Sequence, residues 1–292
     1  MEINDLKINY KEKRTTSLAN KGDVYYIQYD ALNELDFIKH GISTRFGGVS
    51  TGIFESMNLN FTRGDEKDKV VENYKRICDA LDMDVNKLVC SYQTHTNNVI
   101  RVGETPLERF YVGCKTPSGV DGLVTNVPGV VLTTSFADCI PLLFADPVKK
   151  CIGLSHAGWR GTVGKIAKNT IDKMINEYGS KASDIICCIG PGICKDCYEV
   201  SEDVHETFKE SLSNRIVYEA FDDRGIINGK HKYLLDLWQA NRMICLEAGL
   251  RDYNIYLPDI CTNCNPDLLF SHRASKGRRG NFNVFLSIKY NS

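Results

Sequence analysis

Phe136-Ala-Asp-Cys-Ile-Pro-Leu-Leu-Phe-Ala145, followed after a short break by Cys151-Ile-Gly-Leu-Ser-His-Ala-Gly-Trp-Arg-Gly161, decides how this chain is read. Apolar runs of this length, bounded by turn-forming residues, read as buried strands. Cys139 and His156 then lie at the ends of two neighbouring strands and can face one another across a site. A second polar cluster, Tyr92-Gln-Thr-His-Thr-Asn97, interrupts apolar sequence between Leu88-Val-Cys90 and Val99-Ile100 and offers His95 as a third ligand. Two imidazoles and a thiolate suffice for a catalytic zinc whose fourth position stays open.

Outward from that stretch, 24–29 and 37–42 read as strands, and a helix follows with Asp65 as its N-cap. Val70, Val71, Tyr74, Ile77, Cys78 and Leu81 line one face of that helix. Buried strands are expected over 130–134, 142–145 and 151–154. A second amphipathic helix begins near Thr162, with Val163, Ile166, Ile171 and Met174 on its buried face and Gly179 just past its end. A strand at 185–189, helices at 202–212 and 237–248, and strands at 254–257 and 282–288 complete the pattern. Strands outnumber helices without alternating strictly with them, which favours an α+β fold, a single domain of layered helices and mixed β-sheets, over a doubly wound parallel sheet. Residues 1–20 read as a polar N-terminal arm and 21–292 as one catalytic domain, since no linker or repeat divides them.

The 292 residues are 42% hydrophobic and 25% charged, an ordinary globular make-up. A net charge of −1 gives no general attraction to nucleic acid or anionic membrane, so the expected partner is a small molecule. No run reaches membrane-spanning length and no apolar block near the start serves as a signal, which places the protein in the cytoplasm. Of the twelve cysteines, most sit in strand-like apolar contexts as core filler. Cys194 with Cys197 and Cys261 with Cys264 have the spacing of a four-thiolate zinc site, but the pairs are far apart in sequence and outside glycine-rich knuckles. They are read as free reduced thiols.

The segments His40-Gly-Ile-Ser-Thr-Arg-Phe-Gly-Gly-Val-Ser-Thr-Gly52, Ser56-Met-Asn-Leu59, Gln93-Thr-His95, Asp121-Gly-Leu-Val-Thr125, Ala137-Asp-Cys-Ile-Pro141, His156-Ala-Gly-Trp-Arg-Gly161, Ile189-Gly-Pro-Gly-Ile193, Cys197-Tyr-Glu-Val200 and Ser271-His-Arg273 together resemble the YfiH family. That family carries the labels laccase domain, multicopper polyphenol oxidoreductase and zinc-dependent purine nucleoside phosphorylase. The resemblance implies a layered α+β fold and a metal held by His95, Cys139 and His156, the set already chosen on ligand chemistry. It also implies phosphorolysis of adenosine, inosine, guanosine and methylthioadenosine, with adenosine deamination as a second activity. Asn58, in the Ser56-Met-Asn-Leu59 motif, is carried as a substrate or phosphate contact. His40 and His272 stand in family motifs and could line the cleft.

Other residues join on chemical grounds. Arg45 and Arg160 lie in glycine-rich turns suited to bidentate phosphate contact, and Gly158 to Gly161 leads into a helix start that favours an anion. Asp138, beside the ligand thiol, is the nearest proton carrier. Two other function classes remain open. A copper oxidase could use the same three ligands, for which copper outcompetes zinc, but six histidines are too few to add a trinuclear cluster. A cysteine hydrolase acting on cell-wall precursors would use Cys139 as nucleophile and His156 as base.

Overall fold

A strand that is apolar at every position must be covered on both faces, and this chain meets that demand with four layers. The computed structural model describes residues 6–11, 13–103, 109–110 and 113–290. In chain order the elements are β1 (Thr16–Lys21), β2 (Val24–Tyr29), α1 (Asp30–Asn33), β3 (Ile38–Ser43), α2 (Lys67–Ala80), β4 (Leu88–Tyr92), β5 (Val99–Arg101), β6 (Arg109–Phe110), β7 (Gly113–Ser118), β8 (Gly122–Thr125), β9 (Val131–Phe136), β10 (Ile140–Asp146) and β11 (Cys151–Ala157). There follow α3 (Trp159–Val163), α4 (Ile166–Tyr178), β12 (Ile186–Ile189), β13 (Glu199–Ser201), α5 (Glu202–Ser211), α6 (Asn214–Ala220), β14 (Phe221–Ile227), β15 (Lys230–Leu235), α7 (Leu237–Glu247), β16 (Ile255–Tyr256) and β17 (Phe282–Ile288).

An eight-stranded sheet, in the order β1-β2-β3-β17-β9-β4-β7-β6, stacks on a six-stranded sheet, β16-β12-β10-β11-β8-β5, and β13-β15-β14 form a small third sheet. Both large sheets mix parallel and antiparallel pairs, as α+β character requires. The period-2 alternation of side chains explains the layering. Leu143 and Ala145 of β10 join Phe136, Val284 and Leu286 in the core between the sheets. Leu142 and Phe144 point the other way and pack with α4, α5, α6 and α7. Phe285 of β17, facing outward, meets Val70, Tyr74 and Ile77 of α2.

Several expectations are corrected. The arm expected through residue 20 joins the eight-stranded sheet at Thr16, whose backbone and hydroxyl bond the buried Asp259. The N-cap of α2 is Glu66, with no side-chain cap, and Asp65 instead accepts from Ser50 and Asn58. The helix expected from Thr162 is two helices. Lys165 takes a left-handed φ of 57° between them, and the Gly164 carbonyl is freed to accept from the Asn97 side chain at 2.7 Å. The β14–β15 hairpin was unforeseen, although Asn228-Gly229, with φ of 52° and 74°, is a strong two-residue hairpin signal.

His40 does not line a cleft. It is buried on β3 with Nε2 accepting the Tyr29 N–H at 2.8 Å, and burial holds its pKa well below the usual 6.5, at about 3. The unfolded chain therefore binds a proton in a range where the folded chain refuses it. That contribution to stability is complete above about pH 6.5 and is lost toward pH 3, by up to about 1.4 kcal/mol per pH unit. Urea midpoints at about pH 7 and about pH 5 should fall further for the wild type than for His40→Gln, which keeps an acceptor without the titration. Equal falls would remove His40 as the acid-sensitive group.

Candidate metal centre

Asp121, wholly buried at the entry to β8, organises the centre. Its carboxylate accepts the backbone N–H groups of Thr94, His95 and Thr96 at 3.0, 3.1 and 2.9 Å, and the Thr96 hydroxyl at 2.9 Å. These bonds fold the β4–β5 loop so that His95, exposed and at a left-handed φ of 63°, turns its ring against His156. The same carboxylate takes the Nδ1–H of His156 at 2.9 Å, which orients the ring and leaves Nε2 for Cys139 or a metal.

Cys139 arrives from the turn before β10. Asp138 has a φ of 88°, a conformation that asparagine and aspartate reach more readily than most residues. The hairpin register sets Pro141 opposite His156. The ligand atoms of His95, Cys139 and His156 all lie within 4.8 Å of one another, and the two imidazoles meet edge to face at 4.9 Å. Gly158 closes over them: a Cβ there would come within 3.1 Å of both Cys139 Sγ and His95 Cδ2.

The electrostatics favour a thiolate. Burial pushes the Cys139 thiol up, yet the His156 charge and hydrogen bonds from both histidines bring it down to about 6. Burial lowers His156, but the Cys139 charge and the Asp121 bond raise it to about 9. Asp121 is held at about 2 because its bonds to His156 and to the Thr96 and Thr94 N–H groups outweigh its burial.

The triad forms part of the wall of a cavity of about 410 Å³, lined also by Phe61, Tyr92, Arg63 and Arg279. Phe61 stacks on Tyr74 at 5.8 Å. Arg279 is 7% exposed and donates to Gly280 O and Asn281 Oδ1 at 3.0 and 2.6 Å, while its Nε has no partner among the described residues. Burial, then the nearby Arg63 charge, lowers it to about 10.

Residues 39–289 match the family described as multi-copper polyphenol oxidoreductase laccase. The chain belongs to this laccase-like family. The crystal structure of the Bacillus licheniformis hypothetical protein YfiH superposes with a TM-score of 0.84 at 30% identity, covering 95% of this chain and all of that one. Purine nucleoside phosphorylase YlmD of Bacillus subtilis is 35% identical over 253 residues, 85% of this chain and 88% of its own. Adenosine deaminase RL5, from an unknown prokaryotic organism, is 32% identical over 253 residues, 83% of this chain and 93% of its own.

The remaining expected site residues of this laccase-like chain divide sharply. Arg45 does not line the cleft. Its guanidinium donates to Glu55 O and Pro266 O at 2.9 and 2.7 Å and lies over Phe270, so it braces backbone. Asn58 is wholly buried and bonds Asn60, Asp65 and Asn281, which shapes the cleft wall from behind. Arg160 is exposed over the Trp159 ring at 4.2 Å, outside the cleft lining. The helix that starts there, α3, is only 5 residues long. Asp138 accepts the Thr262 hydroxyl at 2.6 Å and the Arg273 N–H at 2.7 Å, so both oxygens already hold neighbouring chain in place. His272 sits beside Gly277, near Arg279 and Asp138. Asp121 and Arg63 had no assigned role; an acid and a glycine immediately before an apolar run was the available signal for Asp121.

Asp121→Asn should weaken metal binding by about 10–100-fold, because the ring it orients loses its charged partner. Competition against a chromophoric chelator measures this directly. Unchanged affinity would show that the Asp121 contact does not shape the centre.

Proposed function

We propose that this protein is a zinc-dependent purine nucleoside phosphorylase, taking adenosine, inosine, guanosine or methylthioadenosine with phosphate to free base and ribose 1-phosphate. The observation that carries this reading is the convergence of two imidazoles and a thiol in the wall of a cleft that also presents two arginines. The likeness to a named phosphorylase, 35% identical, supports it. Borderline-soft His and Cys donors suit zinc, and three of them leave a coordination position free. Zinc bound there supplies a Lewis acid at neutral pH.

The chain's own groups do the rest. Arg279 and Arg63 attract phosphate into the cleft and steady its charge. They take the role expected of Arg45, which lies outside the cleft lining with its Nε and Nη1 donating to the Glu55 and Pro266 carbonyls. The Phe61 and Tyr92 rings give the purine apolar faces. Asp138 is the carboxylate next to the ligand thiol. In this reading it acts by holding the Cys139 turn. Adenosine deamination is a second activity of the same site, as the deaminase relative suggests.

The alternatives gain less. A copper oxidase would need further histidines near the triad, but His40 is committed to Tyr29 and both His205 and His231 stack on Tyr233, at 4.1 and 4.7 Å. Copper in the triad itself remains chemically compatible with the donors. The Cys139–His156 pair would serve a cysteine hydrolase, yet such an enzyme has no need of His95 against the same thiol.

Purified protein loaded with zinc should release hypoxanthine and ribose 1-phosphate from inosine, only with phosphate present and without oxygen. No base release, together with phenol oxidation on addition of copper and oxygen, would overturn the proposal. Arg63→Met, at an exposed position, should raise the phosphate KM by about tenfold and the inosine KM by less than about twofold. Arg160→Met should change neither by more than about twofold. Equal rises in both constants for Arg63→Met would take phosphate binding away from that arginine.

A further inference from the structure

The two Cys-x-x-Cys pairs, far apart in sequence, meet. Gly192 forms a parallel bridge with Cys261, and this brings the turn at Cys194–Cys197 against the turn at Cys261–Cys264. The four sulfurs all lie within 4.8 Å of one another, with Cys197 and Cys264 at 3.5 Å. A disulfide needs sulfurs about 2.05 Å apart, so these are four separate thiols. Thiols are weak donors and weak acceptors to each other, which gives no reason for four to gather. A tetrahedral ion with metal–sulfur bonds of about 2.3 Å sets its sulfurs about 3.8 Å apart, within the observed spread.

We propose that Cys194, Cys197, Cys261 and Cys264 form a second metal site, a structural tetrathiolate site that takes zinc. The backbone is shaped for it. The Cys197 N–H closes its turn on Cys194 O at 3.1 Å, and the Cys194 N–H points to Cys261 Sγ at 3.2 Å, the kind of donor that stabilises a ligating thiolate. Four thiolates around a divalent ion leave net negative charge, and the Lys11 ammonium stands against Cys194 and Asp196. Cys194 and Cys261 are buried while Cys197 and Cys264 are half-exposed, so an ion has a path in.

The site fastens three segments. Asn9 bonds Cys264 O and exchanges two bonds with Asn265, which ties down the N-terminal segment. Thr262, between the paired cysteines, donates to Asp138, and Ile193 beside Cys194 donates to Asp138 O. The second ion therefore braces the residue that presents Cys139, without itself reaching the cleft.

Elemental analysis of protein grown with zinc and purified in metal-free buffers tests the assignment, with no dependence on the reaction. The wild type should carry about two ions per chain. Cys197→Ser/Cys264→Ser should lose one, and His95→Ala/Cys139→Ser should lose the other. An unchanged count in the Cys197→Ser/Cys264→Ser protein overturns the proposal, whatever the wild-type total. Should that variant fail to fold, cobalt-loaded His95→Ala/Cys139→Ser decides alone: it should show the strong charge-transfer and visible bands of tetrahedral cobalt bound by thiolates, and their absence overturns the proposal.

Discussion

One buried carboxylate holds the centre together. Asp121 has no exposure to solvent and takes three backbone N–H groups, a hydroxyl and an imidazole N–H. Hydrogen bonds to a charged group contribute about 1.5–3 kcal/mol each, and a buried charge left unpaired is strongly destabilising. The carboxylate and its five donors therefore form as a set. Once they do, the His95 loop and the His156 ring can occupy only one arrangement, and Cys139 meets them from the neighbouring strand end.

That arrangement depends in turn on strands with no solvent-facing side. β10 and β11 are buried at every position, with alternate residues feeding two different cores. A one-residue slip between them would exchange the two side-chain sets and carry His156 out of the centre, so packing on both faces protects the geometry of the triad. The functional groups then gather where the packed layers end and polar loops begin. There the β4–β5 loop, the turn at Asp138 and the Gly158 turn converge.

The tetrathiolate cluster extends the same logic to the far side of Asp138. Thr262 and Ile193 grip this aspartate from two turns that the cysteines would join, while Arg273 grips it from a third segment. A residue in a left-handed conformation needs such over-determination, since the strain of about 1–3 kcal/mol must be offset by its surroundings. An ion at the proposed tetrathiolate site would thus support the Cys139 position through a single turn.

The sequence alone determined the layered α+β class, the strands around Cys139 and His156, and the choice of His95, Cys139 and His156 as the three residues that converge. Those features rest on local runs of apolar residues and on donor types, which are written in neighbouring positions. It could not place Arg45, because a guanidinium in a glycine-rich loop reads the same whether it faces an anion or braces the Glu55 and Pro266 carbonyls. It could not show that Arg279 is buried in the cleft wall beside Arg63. The cysteine pairs were set aside for their separation along the chain, a distance that one β-bridge at Gly192 abolishes. Tertiary structure alone decided these points, because whether a charged or soft side chain is satisfied depends on partners contributed by segments remote in sequence.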